Sequence, residues 1–458
     1  MKKIICLLLI FIFAFPLISC DKKAKSFVNG VSIGDYVIVY SEEDADYSKR
    51  AAEYIQSKID ERTGHKLKVV EDDTKKSNHE IVVGNTNRDI SEKLDADTEG
   101  LEFAIHADGG SIALEGDYFI IAAAAYFFIE TFVPGGDHEA TVSSEAIIHE
   151  PIVKEAKNYI LLIGDGMGYY QTKLFEQMRN DVEYGDGEDI FYGWLLPYHG
   201  FSRTDSLTGV TDSAAGGTAL ACGYKTNNRY VGKDKDGNDI KNLTELAFEL
   251  GKSSAVLSTD KDTGATPSTF SAHVLDRYDD SKEIINDQLE AYQKYGTIIE
   301  CGYDYYNRDV REIIEVYIED TLTEVSENEN GFFLMYEEAY IDKHCDDMDI
   351  TKAFKAMVRF NQAIGRFMEF AFYNPDTFIL ITADHETGDL VPNEHGVYEF
   401  HTTEHTGANV PIFAYGQGAE LFDGVEIENI QIAHTIAALM GEENYGDQSV
   451  YQSLTKSK

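Results

Sequence analysis

From Pro151 onward the chain repeats one pattern: a short, unbroken apolar run, a turn carrying a carboxylate or an imidazole, and then a stretch of helical composition. Tyr159–Ile163, Ala255–Ser258, Gly331–Tyr336, Thr377–Thr382 and Val410–Tyr415 are the runs. Strands that are apolar without alternation must be covered on both faces. The pattern therefore predicts a mostly parallel central sheet between two helical layers, a three-layer α/β/α sandwich. Ligands of such sheets gather beyond the carboxyl ends of the strands. The residues that follow the runs are accordingly the candidates for chemistry. They are Asp165 in Gly164-Asp165-Gly166, Asp260 and then Thr266, Glu337 and Asp342, and Asp384-His385, with His405 placed just before the last run. A carboxylate next to an imidazole suits Zn²⁺, and a carboxylate with a hydroxyl suits Mg²⁺, so the edge of this sheet reads as a multi-metal site.

A second stretch supplies a nucleophile. In Val210-Thr211-Asp212-Ser213-Ala214-Ala215-Gly216-Gly217-Thr218-Ala219, Thr211 or Asp212 is a natural N-cap and the alanines favour a helix. Ser213 then stands in the first turn, where backbone N–H groups and the helix dipole favour an anion. Gly216 and Gly217 admit a close neighbour. A serine hydroxyl is a weak nucleophile until a base or a metal activates it, and no His adjoins this one. The activator must come from the sheet edge.

Charge narrows the partners. The chain carries 81 acidic and 39 basic residues, a formal net charge of −42. Such a field excludes nucleic acid and repels phosphate esters at long range, so an enzyme acting on an anion needs cations to invert it locally.

At the amino terminus, Met1-Lys2-Lys3, an apolar run from Ile4 to Ile18 and Leu17-Ile18-Ser19-Cys20 describe an export signal over residues 1–20. The end of this segment resembles a bacterial lipoprotein signal, which implies a lipid on Cys20 and an exported protein tethered to the membrane only by that anchor. The three remaining cysteines, Cys222, Cys301 and Cys345, are too few and too odd in number for a disulfide framework.

Residues 27–150 read as a small α/β unit. Strands are expected at Tyr36–Tyr40, Lys66–Val70 and Glu80–Val83, with a helix at Asp46–Arg62. A hairpin is expected across Asp108-Gly109-Gly110 and an apolar core helix at Tyr118–Phe132. The unit loosely resembles the small modules appended to carbohydrate-active enzymes; no chemistry is visible in it, and scaffolding is its default role. Residues 151–458 form the large unit, which Ile432–Met440 closes as a core-facing helix.

Within the large unit, residues 157–441 resemble the alkaline phosphatase family. The resemblance rests on Ile163-Gly164-Asp165-Gly166-Met167-Gly168, Val210 to Ala215, Ala265-Thr266-Pro267 and Ala272-His273-Val274-Leu275-Asp276-Arg277. Thr382-Ala383-Asp384-His385 and Glu404-His405-Thr406-Gly407 complete it, in the family's order. It implies two Zn²⁺ and one Mg²⁺ per chain and hydrolysis of small phosphate monoesters through a phosphoserine at Ser213. Asp165, Asp384 and His385 would bind the zinc that activates the serine. Asp165, Thr266 and Glu337 would bind magnesium, and Asp342 and His405 the second zinc. Arg277 would grip the phosphoryl oxygens and Asp212 would orient it. Paired metals stabilise the attacking and departing oxygens, and a guanidinium fork matches two phosphate oxygens.

Three positions depart from the family. Asp346 stands where the second zinc's His is expected, with His344 as the alternative ligand and Cys345 as a bystander thiol. Gly264 replaces a larger residue near the magnesium and leaves room for a water. Lys343 matches a position that contacts phosphate through water in some members. His273 is expected to be structural, and the polar insert at 276–330 to rim the site. A phosphodiesterase or sulfatase-like relative, or an inactive surface binding protein, is the alternative reading; a homodimer is left open.

Overall fold

The computed structural model describes residues 23–42, 45–92, 98–178, 190–302 and 314–455. The export signal and Cys20 lie outside the described residues.

The large unit is built on an eight-stranded sheet. From one edge to the other its strands are Ile298–Cys301, Ser253–Ser258, Phe332–Glu338, Asn158–Gly164, Thr377–Thr382, Val410–Tyr415, Tyr198–Arg203 and Glu426–Glu428. Only Val410–Tyr415 runs against both its neighbours; every other pairing is parallel. The two central strands, Asn158–Gly164 and Thr377–Thr382, are buried at every position. Their side chains alternate between two cores, as the pleat requires. Ile160 and Leu162 enter one, and Tyr159, Leu161 and Ile163 the other. The architecture is thus the mixed α/β, mostly parallel sandwich expected. The edge strands Ile298–Cys301 and Glu426–Glu428 are too short, and the inner strand Tyr198–Arg203 too polar, to stand out in the sequence.

In the small unit, a six-stranded sheet runs in the order Lys68–Glu71, Val37–Tyr40, Glu80–Val83, Ser111–Glu115, Phe103–Asp108 and Ile147–His149. Helices α1 (Ala45–Thr63) and α2 (Ile120–Phe132) belong to it. α2 is buried on nearly all sides, because it lies between this sheet and the long helix Ile350–Tyr373 of the large unit. Phe119 packs 5.8 Å from Phe372 and 5.0 Å from Tyr192. Tyr54 stacks 4.2 Å from Tyr373, and Arg50 pairs with the buried Glu369. One hydrophobic core therefore runs through both units. Burying an aromatic or large aliphatic side chain is worth about 1.5–3 kcal/mol, so this seam fastens the small unit as an integral layer rather than an appended module.

Two further helices position the site. α3 (Ser213–Cys222) begins at the sheet's carboxyl edge and is buried throughout. α4 (Tyr340–Asp346) follows the strand Phe332–Glu338 directly.

Candidate active site

Each candidate group is delivered by a short turn off a buried strand. Asp165 leaves Asn158–Gly164 through Gly166, whose φ of +72° favours glycine. A Cβ there would also meet Thr387 Oγ1 at 2.8 Å and the Asp342 backbone at 2.9 Å. Asp384 and His385 leave Thr377–Thr382. Asp342 lies on α4, one turn beyond the strand that ends in Glu337 and Glu338. His405 arrives from the other direction: because Val410–Tyr415 is antiparallel to its neighbours, the segment that precedes it starts at the edge where the others end.

α3 brings Ser213 to this edge. The Asp212 side chain caps the helix, with Oδ1 accepting from Ala215 N–H at 3.0 Å. Gly216 lets the helix approach the Asp384 backbone, whose carbonyl would lie 2.9 Å from a Cβ at that position. Ser213, 5% exposed, places Oγ 3.2 Å from His385 Nε2.

Two donor groups result, with His385 bordering both: Asp165, Asp384 and His385; and Asp342, His385 and His405. In each group the ligand atoms lie within 4.8 Å of one another. The two imidazoles stack 3.6 Å apart. Hydrogen bonding assigns their tautomers. The Thr387 hydroxyl gives its proton to Asp342 and lies 3.2 Å from His385 Nδ1, which therefore donates to it. His405 Nδ1 donates to the Thr211 carbonyl at 2.9 Å. Both Nε2 atoms face the carboxylates: His385 Nε2 is 3.4 Å from Asp165 and 3.3 Å from Asp384, and His405 Nε2 is 3.5 Å from Asp342. Committing the second ring nitrogen to a backbone or hydroxyl partner is how metal-binding histidines are oriented.

The electrostatics are unfavourable without cations. Burial first, and then the charges of Asp384 and Asp342, push Asp165 well above the usual carboxylate range. Asp384 is pushed up to about 7 by burial and by Asp342, and Glu337 to about 8 by burial and by Asp260. Burial, His405 and Arg277 hold His385 well below an ordinary imidazole, hence neutral. Asp165 Oδ1 and Asp384 Oδ2 are buried with no hydrogen-bond partner among the described residues. Orphaned carboxylate oxygens facing imidazole lone pairs are a donor set that fits divalent cations.

Beside this set, the fully buried Thr266 hydroxyl lies near Glu337 with no hydrogen-bond partner among the described residues, and Glu337 accepts from Ser258. Asp346 falls on the same face of α4 as Asp342, one turn on, and the charges of Asp342 and His405 act on it; burial and Asp342 raise it to about 6. His344, two residues along the same helix, faces the other way, 5.7 Å from the Tyr340 ring and under the influence of Arg359 and Lys352. The helix thus puts Asp346 on the face of Asp342 and His344 on another, although neither belongs to the two donor groups. Cys345 is buried beside Gln171 and joins neither donor group. His273 is held by Gly232 and Glu245 in a structural role. Lys343 pairs with Asp260.

Asp212 differs from the expectation. Its Oδ2 accepts from the backbone N–H of Arg229 at 2.9 Å, and the Arg229 carbonyl accepts from Arg277 N–H at 3.1 Å. Both carboxylate oxygens are engaged by backbone, so the described contacts join Asp212 to Arg277 through the Arg229 main chain and contain no ion pair between them. The Arg277 guanidinium lies 5.0 Å over Tyr278, close enough to His385 to act on it electrostatically. Sequence reasoning missed Thr387, which orients His385 and Asp342 together; its position two residues past His385, on the strand pair Glu386–Thr387 and His405–Thr406, was the available signal.

A sequence model of the family described as alkaline phosphatase matches residues 156–300 and 308–401. The chain is 26% identical to alkaline phosphatase 4 of Bacillus subtilis (strain 168), over 54% of this chain and 65% of that relative, so it spans just under two thirds of that protein's length. It is 24% identical to the alkaline phosphatase of Escherichia coli (strain K12), over 67% of this chain and 91% of that one. Among solved structures it is similar to the alkaline phosphatase of the Antarctic bacterium TAB5, with a TM-score of 0.53 and 25% identity, covering 63% of this chain and 98% of that one. A cold-active alkaline phosphatase from a psychrophilic Shewanella species shares the fold at a TM-score of 0.54 and 22% identity, over 62% and 100% of the two chains. With the strand-edge site in place around Ser213 and more than half of the sequence matched, the chain belongs to the alkaline phosphatase family.

Proposed function

We propose that this protein hydrolyses small phosphate monoesters through a phosphoserine at Ser213, releasing inorganic phosphate. The observation that carries the reading is the pair of stacked imidazoles whose Nε2 atoms face carboxylates, among them the orphaned oxygens of Asp165 and Asp384, beside Ser213 Oγ. Asp165, Asp384 and His385 would hold one zinc, Asp342, His405 and Asp346 a second, and Asp165, Thr266 and Glu337 a magnesium. When bound, these ions supply positive charge to the attacking and departing oxygens and acidify a hydroxyl or a water.

The chain's own groups do the rest. The α3 amino terminus and the Arg277 guanidinium receive the phosphoryl oxygens, with Lys343 as a further cation. Ser213 Oγ gives up its proton and bonds to phosphorus as the ester's P–O bond breaks, and the leaving alkoxide takes up a proton in exchange, so that none is gained or lost overall. Water then cleaves the Ser213 phosphate, which restores the hydroxyl and frees inorganic phosphate. The lipoprotein-like Leu17-Ile18-Ser19-Cys20 supports export and a lipid anchor at Cys20.

Side-by-side turnover of an aryl monoester, an aryl diester and an aryl sulfate tests the substrate class. The monoester should lead by at least ~100-fold, because a diester and a sulfate ester each carry one negative charge fewer for Arg277 and the cations to hold, and the diester one non-bridging oxygen fewer as well. A preference for diester or sulfate would overturn the assignment. Asp346→His is expected to bind zinc about 10-fold more tightly in a competitive chelator titration, since a neutral ligand removes one carboxylate from a crowded site. Unchanged or weaker binding would show that Asp346 is not a ligand or is already well fitted.

A further inference from the structure

Asp260 follows the run Ala255–Ser258 but belongs to none of the family motifs, yet three neighbours converge on it. It lies two residues beyond the strand Ser253–Ser258 and is 7% exposed. Its backbone N–H donates to Ser258 Oγ at 2.9 Å, and the same hydroxyl donates to Glu337. Its carboxylate pairs with Lys343 Nζ. Its Oδ2 also occupies the space beside Gly264: a Cβ built there would lie 2.4 Å from Oδ2 and 2.8 Å from Cγ. Gly264 has an ordinary φ of −57°, so the backbone does not call for glycine at this position. Space does: nothing larger fits while the Asp260 carboxylate holds that place.

We infer that Asp260 is a positioning residue of the site, a carboxylate supplied from position 260 into space left open by Gly264, where it fixes Lys343 and completes the anionic wall beside Glu337 and Thr266. A lysine ammonium on a four-carbon stem gives up rotamer freedom when it is fixed. A buried carboxylate within contact distance holds it toward the site. The same carboxylate adds negative charge next to the pair Glu337 and Thr266, the oxygen donors suited to Mg²⁺. Outer carboxylates that steer a site in this way typically change metal affinity by about 10–100-fold when removed.

This inference rests on the magnesium assignment under Proposed function, and the experiment separates the two. Zinc-loaded full-length enzyme is titrated with Mg²⁺ by calorimetry, and the inhibition constant of inorganic phosphate is measured alongside. Wild-type protein should bind Mg²⁺. If it does not, the magnesium assignment fails and Asp260 has no ion to serve. Asp260→Ala should weaken Mg²⁺ about 10-fold or more and raise the phosphate inhibition constant, with the thermal midpoint of the zinc form as a folding control. The double variant Asp260→Ala with Gly264→Asp should recover most of the Mg²⁺ affinity, because the relocated carboxylate enters the vacated space. Gly264→Ala alone should weaken Mg²⁺ by displacing Asp260, and it decides the matter if Asp260→Ala does not fold. Wild-type affinity in Asp260→Ala, or a double variant no better than the single one, would overturn the inference.

Discussion

Ser213→Ala is expected to lower kcat by about 10⁴-fold or more and to leave no phosphorylated residue when the reaction is quenched in acid and the protein examined by mass spectrometry. Geometry is the reason. Ser213 Oγ is the hydroxyl at the start of α3, 3.2 Å from His385 Nε2, and the neighbouring Asp165, Asp384 and His385 have no other covalent role. Phosphate should still bind, because the α3 amino terminus, Arg277 and Lys343 are untouched. Stability should change little, since one contact to a neutral imidazole is lost and the alanine suits the helix; the expected difference is about 1 kcal/mol. Residual activity near wild type, or phosphate trapped on another residue, would remove Ser213 from the mechanism.

The second large effect is on stability, and it depends on pH. Stripping divalent cations leaves Asp165, Asp384 and Glu337 buried together, with Asp384 raised to about 7 and Glu337 to about 8 mainly by burial. A carboxyl whose pKa is higher in the folded state keeps a proton that the unfolded chain has already released. Its contribution to stability is therefore fully present below the unfolded value, near 4, and is lost as pH rises through the folded value. The chelated protein should become less stable between about pH 5 and about pH 8.5, by several kcal/mol, since each tenfold gain in a carboxyl's proton affinity on folding is worth about 1.4 kcal/mol. In thermal melts this corresponds to a fall on the order of 5–10 °C. Cations replace the missing protons, so adding Zn²⁺ and Mg²⁺ should stabilise the protein more at the alkaline end. A chelated protein whose melting temperature stays flat or rises over that range would show that these carboxylates are not forced together as described.

Much of this site is legible in local stretches of the chain. The buried strands carry their own signature, because a strand covered on both faces has no reason to alternate. Asp165, Asp384 and His385 follow such strands within a few residues, so their location at one edge follows from the strand pattern. The N-cap at Asp212 and the hairpin at Asp108-Gly109-Gly110 are equally local. The edge strands Ile298–Cys301 and Glu426–Glu428 and the polar inner strand Tyr198–Arg203 are not legible, since short or polar segments look like loops. The choice between Asp346 and His344 needs the helix at residues 340–346, which puts 342 and 346 on one face and 344 on another.

The amino-acid sequence by itself determined the layers and the turns that carry the candidate hydroxyl, carboxylate and imidazole groups, because these depend on runs and turns of a few residues. Tertiary structure alone decided which of those turns meet. The reversal of Val410–Tyr415 delivers His405, the Asp212 carboxylate ends on backbone N–H groups instead of a guanidinium, and Asp260 moves into the space beside Gly264. It also decided that the small unit shares its core with the large one. The reason is physical: a carboxylate's partner is set by which segment packs against it, and that packing joins residues tens to hundreds of positions apart, beyond the reach of any local pattern.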